Sequence, residues 1–179
     1  TPDDRELVFH IRRMPGGRTS THVADQLRPG DKVKACGPLG VAYLRDRHAG
    51  PVLLVAGGSG LAPIQSILAT LLARGTEAPI TLYFGVRSER DLYHEKLLAD
   101  LAAGHSNFRF HVVLSEQKGA RHRRYGVVHE AIGEDLTDAS GITAYLAGPP
   151  VMVEAARALL AARGAPPRQI HADAFYNQN

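Results

Sequence analysis

From Pro51 onward, short apolar runs alternate with longer segments whose apolar positions recur every three or four residues. That is the pattern of a parallel sheet covered on both faces. Val52-Leu53-Leu54-Val55-Ala56 has no polar position to turn toward water, so it predicts a strand buried on both sides. After a glycine turn, Ile64, Ile67, Leu68, Leu71 and Leu72 predict a helix over about 63–74 with one apolar stripe. Ile80 to Val86 predicts a second strand. Ser88-Glu89-Arg90-Asp91 has the form of a capping box and predicts a helix running on through Leu92, Leu97, Leu98 and Leu101. Phe108 to Leu114 predicts a third strand, followed by a basic loop from Gln117 to Tyr125 and a short helix around 127–132. Thr143 to Ala147 predicts a fourth strand, Gly148-Pro149-Pro150 a turn, and 151–163 a helix. Gln169 to Ala172 is a short fifth strand. The predicted fold class is α/β, with a five-stranded doubly wound parallel sheet.

The first fifty residues follow a different pattern. Leu7 to Arg12 and Val33 to Cys36 read as strands, and Gly16-Gly17 and Gly37-Pro38-Leu39-Gly40 as turns. A few strands and one short helix cannot close a core, so this segment is expected to pack on something else or to end a larger β-structure. The expected division is residues 1–50 and 51–179.

Composition narrows the class. With 179 residues, 44% of them hydrophobic, the chain is long enough for one ordinary domain or slightly more. The single cysteine, Cys36, excludes an internal disulfide and a four-cysteine zinc or iron–sulfur site built by this chain alone. A net charge of +3 is compatible with a phosphate-bearing ligand and far from a nucleic-acid signature. No apolar run approaches the roughly 18 residues of a membrane span, and the start Thr1-Pro2-Asp3-Asp4-Arg5 lacks a signal-peptide core, so a cytoplasmic protein is expected. The nine histidines are scattered without ligand spacing, and no metal site is assigned.

The chemistry concentrates at strand ends. In Ala56-Gly57-Gly58-Ser59-Gly60-Leu61-Ala62-Pro63, glycines let the backbone approach a ligand, and the following helix N-terminus offers free N–H groups to a phosphate. Gly58-x-Gly60-x-x-Pro63 departs from the dinucleotide fingerprint only at its last position, and no Gly-Lys-Ser/Thr follows to make a P-loop. The same turn, taken alone, also suits a tight strand–helix connection. A rival from another class makes Ser59 the nucleophile of an α/β-hydrolase, with Asp135 or Asp138 and then His171 in the expected order, although Leu61 stands where the elbow needs glycine. Gly85-Val86-Arg87 and Gly148-Pro149-Pro150-x-Met152 lie at two further carboxyl ends, where open α/β sheets bind ligands. Gly148-Pro149-Pro150 could equally be no more than a rigid turn. The loop Ser115 to Arg124 carries Lys118, Arg121, Arg123 and Arg124 and is either a solvated loop or a reach toward a ribose or phosphate.

Gly57 to Pro63, Tyr83-Phe84-Gly85-Val86-Arg87 with Asp91-Leu92-Tyr93, Ala147-Gly148-Pro149-Pro150-x-Met152, and Ile170-His171-Ala172-Asp173-Ala174-Phe175-Tyr176 together resemble the ferredoxin–NADP reductase superfamily. The likeness is greatest to the reductase components of aromatic-ring-hydroxylating dioxygenases, of the naphthalene dioxygenase reductase kind. The resemblance implies an antiparallel barrel that binds FAD, followed by an α/β domain that binds NAD(P)H. It implies hydride transfer from nicotinamide C4 to flavin N5 and single electrons leaving toward a 2Fe–2S ferredoxin or iron–sulfur domain. By the same resemblance residues 1–50 are the end of the FAD barrel, and Gly17, Arg18, Thr19 and Ser20 form its pyrophosphate turn. Gly58, Ser59, Gly60, Leu61, Ala62, Pro63, Gly85, Val86, Arg87, Ser115 and Glu116 would surround the dinucleotide. Gly148, Pro149, Pro150 and Met152 would stand near its nicotinamide end, and Tyr176 would be a further cofactor-binding residue. Asp173 and Phe175 take the catalytic places, Phe175 as an aromatic gate over the flavin.

The sequence departs from the family in carrying no Arg-x-Tyr-Ser/Thr flavin motif, in Ala147 where many members have cysteine, and in Asp173 where many have glutamate. It therefore looks like the carboxyl-terminal part of a longer reductase. Glu116 stands where NADP-preferring members tend to place arginine, and a carboxylate there would repel a 2′-phosphate, favouring NADH over NADPH. A stand-alone flavin or flavohaemoglobin-type reductase, and a fragment that only binds nucleotide, are the other readings.

Overall fold

The structure, a computed structural model, describes residues 6–45, 50–118 and 123–176. In chain order the elements are α1 (Arg18–Asp25), β1 (Val52–Gly57), α2 (Leu61–Ala73), β2 (Ile80–Val86), α3 (Glu95–Gly104), β3 (Phe108–Leu114), β4 (Arg124–Tyr125), α4 (Val128–Asp135), β5 (Thr143–Gly148), α5 (Pro150–Ala162) and β6 (Ile170–Ala174). The six strands form one sheet in the order β4-β3-β2-β1-β5-β6. Every pairing in it is parallel.

Strand period explains the two layers. Val52, Leu54 and Ala56 of β1 point to the face covered by Ile64, Leu68 and Leu71 of α2 and Leu98 of α3. Leu53 and Val55 point to the other face, against Val128 and Ile132 of α4 and Val153, Ala156 and Leu160 of α5. All six residues of β1 and all six of β5 are buried, as continuous apolar runs in a parallel sheet require. The chain moves from β1 outward to β4, then crosses back to place β5 on the other side of β1. That reversal opens a crevice at the carboxyl ends of β1 and β5.

Three sequence expectations are corrected. The sheet has six strands rather than five, because Arg124-Tyr125, read as loop, pairs with Val113-Leu114. The capping box at Ser88 and Asp91 does form, but it closes a single 3-10 turn over Glu89–Asp91. Leu92 then runs extended, and α3 starts only after His94, which is left-handed at φ 57°. Finally, the stretches 7–12 and 33–36 form no strand: among the described residues before Val52 the regular element is α1. Among the described residues no strand runs beside them to supply the ladder, so the expected end of a barrel does not form as strands there. The polar start, residues 1–5, and part of the basic loop, 119–122 with Arg121, lie outside the described residues.

Candidate functional site at the sheet's carboxyl edge

β1 ends in Gly57, and the chain turns through a 3-10 turn, Gly58–Gly60, directly into α2. A side chain on Gly60 would collide with the Ala147 carbonyl oxygen, so the turn can lie this close to β5 only with glycine there. Gly58 is left-handed at φ 52°, and the space where its side chain would stand is open. Gly148 closes the opposite wall at φ 144°, its Cα facing the Gly57 backbone, a position only glycine fills without strain. The turn that opens the 13-residue α2 therefore lines an open crevice at Gly58 and Ser59, while the Leu61 N–H bonds back to the Gly58 and Ser59 carbonyls.

The crevice is a cavity of about 820 Å³. Of the residues singled out from the sequence, Gly58, Ser59, Gly85, Val86, Arg87, Ser115, Pro149 and Met152 line it. Gly60 and Leu61 are buried behind the turn, Gly148 is buried at the end of β5, and Pro150 begins α5; Ala62 and Pro63 lie in the first turn of α2. Gly17 and Arg18 line a different cavity of about 550 Å³ together with Met14, Pro15 and Gly16. Thr19 and Ser20 fall inside α1, where Ser20 Oγ accepts from the Met14 N–H at 3.1 Å and donates to the Gly17 carbonyl.

Residues 173–176 form a seam. Asp173 lies at the carboxyl end of β6, and its two carboxylate oxygens accept the N–H groups of Val41 and Ala42 at 2.7 and 2.9 Å. Phe175 donates its N–H to the Gly148 carbonyl at 2.8 Å, and its side chain is 40% exposed. Tyr176 Oη donates to Glu154 of α5 at 3.3 Å.

Electrostatics separates the cations that can meet a ligand from those already engaged. Arg123 is only 18% exposed and pairs with Glu89 and Glu95, each at 3.0 Å. Arg124 pairs with Asp135 at 2.7 Å and stands near Glu134, and that pairing holds the Asp135 carboxyl below the usual range. Lys118 lies over the Tyr125 ring, 4.9 Å from its centre. The described cations of the basic loop, Lys118, Arg123 and Arg124, therefore lie on an aromatic ring and on carboxylates of the same chain. Arg87, on the crevice wall, stands 3.5 Å from Glu116 in a largely exposed pair.

Sequence reasoning missed one whole wall. His10, Ile11 and Arg12 reach the crevice from the amino-terminal segment, and His94 and Gly126 to His129 from β-to-α connections, beside Asp91 and Tyr93 of the motif already quoted. Tyr93, half-buried, donates its hydroxyl to the Gly58 carbonyl at 3.0 Å, and burial pushes its hydroxyl up to about 12. Burial and the nearby His94 lower the pKa of His10. The position of Gly126 to His129 follows from the carboxyl-end rule once β4 is recognised as a strand.

The hydrolase alternative loses its acids: Asp135 accepts from Tyr83 at 2.5 Å and from Arg124, and Asp138 binds Ser140. His171 packs on Tyr145 with ring centres 5.1 Å apart. Among the described residues no group of three or more His, Cys, Asp and Glu is arranged to hold a metal, and no helix is long and apolar enough to cross a membrane.

Known proteins resemble this chain in sequence and in fold. The chain is 49% identical over 175 residues to the ferredoxin–NAD(P)+ reductase component of the naphthalene 1,2-dioxygenase/salicylate 5-hydroxylase systems of Ralstonia sp. It is 46% identical to the corresponding component of the naphthalene 1,2-dioxygenase system of Pseudomonas putida. Each match covers 98% of this chain and 53% of the relative, so the chain spans about half the length of these curated relatives. Among solved structures, the cytochrome P450 reductase of Amycolatopsis superposes with a TM-score of 0.86 at 40% identity, over 92% of this chain and 50% of that one. Residues 54–158, from β1 through most of α5, match the oxidoreductase NAD-binding domain. With the glycine turn at the switch point of a parallel sheet and this match across it, the chain belongs to the oxidoreductase NAD-binding domain family.

Proposed function

We propose that this chain binds NADH in the crevice at the carboxyl edge of the sheet and acts within a flavin-dependent electron-transfer reductase, in the cytoplasm, that serves an oxygenase system. The observation that carries the reading is the Gly58–Gly60 turn leading into α2 where the strand order reverses. The backbone of the Gly58–Gly60 turn and the helix dipole there suit a pyrophosphate, while Gly85, Val113 and Val128 offer an apolar wall. The relatives' names as reductase components of dioxygenase systems support the activity. The word ferredoxin in those names supports a ferredoxin as the onward acceptor, and in this reading the acceptor is a 2Fe–2S ferredoxin or an iron–sulfur domain.

The residues present fit a flavin nucleotide. Gly16, Gly17 and Arg18 line the second cavity, with open space over Gly16, and Arg18 opens α1. One continuous stretch of chain runs between the two cavities: residues 10–12 line the first and 13–18 the second. In this reading Gly17 and Arg18 hold the FAD phosphates, and Phe175 covers the ring. FAD, when bound, accepts two electrons together and releases them singly. Asp173 serves by holding Val41 and Ala42 against β6, which sets the strand end from which Phe175 projects. Ser20 fixes the turn from inside α1, and Met152 and Pro149 close the crevice floor beneath Gly57.

NADH is favoured over NADPH because Glu116 stands beside Arg87, and Arg123 and Arg124 are held by carboxylates. A 2′-phosphate would meet a carboxylate rather than a free guanidinium. Glu116→Arg is expected to narrow the ratio of NADPH to NADH dissociation constants by about tenfold, read by calorimetric titration. The activity is tested by adding FAD, removing the excess by gel filtration and recording the visible spectrum, then NADH oxidation with ferricyanide as acceptor. A retained flavin band with turnover is expected. A colourless protein that binds NADH without turnover would reduce the reading to a nucleotide module.

A further inference from the structure

Three groups from three parts of the chain meet behind the glycine turn. Tyr93, in the connection between β2 and α3, sends its hydroxyl to the Gly58 carbonyl at 3.0 Å. His10, in the amino-terminal segment, places Nδ1 3.1 Å from the same phenol oxygen. A carbonyl can only accept, so the phenol proton is committed to Gly58, and the phenol oxygen must accept from His10. That fixes the His10 tautomer with its proton on Nδ1. Burial and the neighbouring His94 lower the His10 pKa, which favours the neutral ring, and Nδ1 donates to the phenol oxygen in either protonation state.

The relay is braced on every side. The Tyr93 ring stands edge-on to Phe84 of β2, with centres 5.7 Å apart, and edge-on to His10 at 5.2 Å. His94 donates from Nδ1 to Gln65 of α2 at 2.8 Å and meets the His10 ring at 5.2 Å. His94 also holds a left-handed backbone without being glycine. Such a conformation persists only where the surroundings over-determine it. Gly58 is left-handed too, and its peptide carbonyl is the atom the relay grips.

The geometry points to Tyr93 as a positioning residue: through the Gly58 carbonyl it sets the direction in which the turn presents its N–H groups, with His10 setting Tyr93 in turn. This deepens the nucleotide-binding reading above and rests on it. The group it serves is the pyrophosphate, so the effect should be the same for NADH and for ADP-ribose, which lacks nicotinamide.

The test is calorimetric titration of the full chain with each of these two ligands, with melting temperatures recorded alongside. Tyr93→Phe keeps the ring and loses the hydroxyl. It should weaken both ligands about five- to tenfold, the worth of one well-placed hydrogen bond, while shifting the melting temperature by no more than a few degrees. His10→Ala should weaken both about two- to threefold in the native background and not at all in Tyr93→Phe, since the relay is then already broken. Tyr93→Phe binding as tightly as the native chain would overturn the proposal while leaving nucleotide binding intact. Weakening confined to NADH, or additive effects of the two substitutions, would overturn it as well, by moving Tyr93 to the nicotinamide end or uncoupling His10. A native chain that binds neither ligand would overturn the nucleotide reading and this proposal together.

Discussion

Leu7, Val8 and Phe9 are as apolar as Val52, Leu53 and Leu54, yet the first three are 78, 75 and 62% exposed and the second three 2, 4 and 0%. Both runs read as strands from composition. β1 becomes one because β2 and β5 bond to its two edges and helices cover both its faces. Residues 7–9 have no strand beside them among the described residues. Strand propensity is thus a statement about neighbours as much as about side chains. The amino-terminal segment is held instead by the burial of Ala42, by Leu44 against the core, and by a few polar contacts: His10 to Tyr93, Val41 and Ala42 to Asp173, and Arg45 to Tyr145.

The comparison can be broken most directly by truncation in each region. Leu54→Ala should destabilise by about 3–4 kcal/mol, because a fully buried side chain leaves a cavity, whereas Leu7→Ala should change stability by less than about 0.5 kcal/mol. Urea unfolding of both variants reads the difference, and equal costs would mean that the segment carries a core of its own. Next in size is Gly60→Ala, which drives a methyl group into the Ala147 carbonyl and should cost roughly 2–3 kcal/mol as well as weaken NADH. Gly104→Ala, at the end of α3 with nothing within 4 Å, should instead gain about 0.5 kcal/mol.

A smaller effect is confined to acid. The hydrogen bond from Arg124 lowers the Asp135 carboxyl in the folded state, so its contribution is present above the unfolded pKa and is lost as the pH falls through the folded one. The urea midpoint should therefore decline below the ordinary carboxylate range, and the decline should be shallower in Asp135→Asn. An identical acid slope in that variant would mean that the weld between β4 and α4 contributes nothing. Least affected in stability should be Leu7→Ser combined with Phe9→Ser. It should lower self-association at high protein concentration, read by sedimentation velocity, by removing an exposed apolar row.

The strands β1, β2, β3 and β5 were legible because a continuous apolar run has no other comfortable place. β4 was not, since Arg124-Tyr125 is two residues of no particular period and becomes a strand only by lying along Val113-Leu114. The Ser88–Asp91 capping box was read correctly as a local motif, but its signal is satisfied by one turn and says nothing about the next. At the site, the glycine turn, Arg87 and Met152 were legible as carboxyl-end residues. His10 was not, because it arrives from 83 positions before Tyr93 through tertiary approach alone. Arg123 and Arg124 read as available cations because the carboxylates that claim them, Glu89, Glu95 and Asp135, are set by the fold and not by adjacency.

The central claim is that the crevice behind Gly57 to Leu61 is the NADH site, and amide chemical-shift mapping of the isotopically labelled chain during an NADH titration tests it most directly. The account predicts saturable shifts largest at Gly58 to Leu61, at Gly85 to Arg87 and at Gly126 to His129, with smaller ones along residues 13–26. Shifts concentrated in residues 13–26, or none at all, would contradict it.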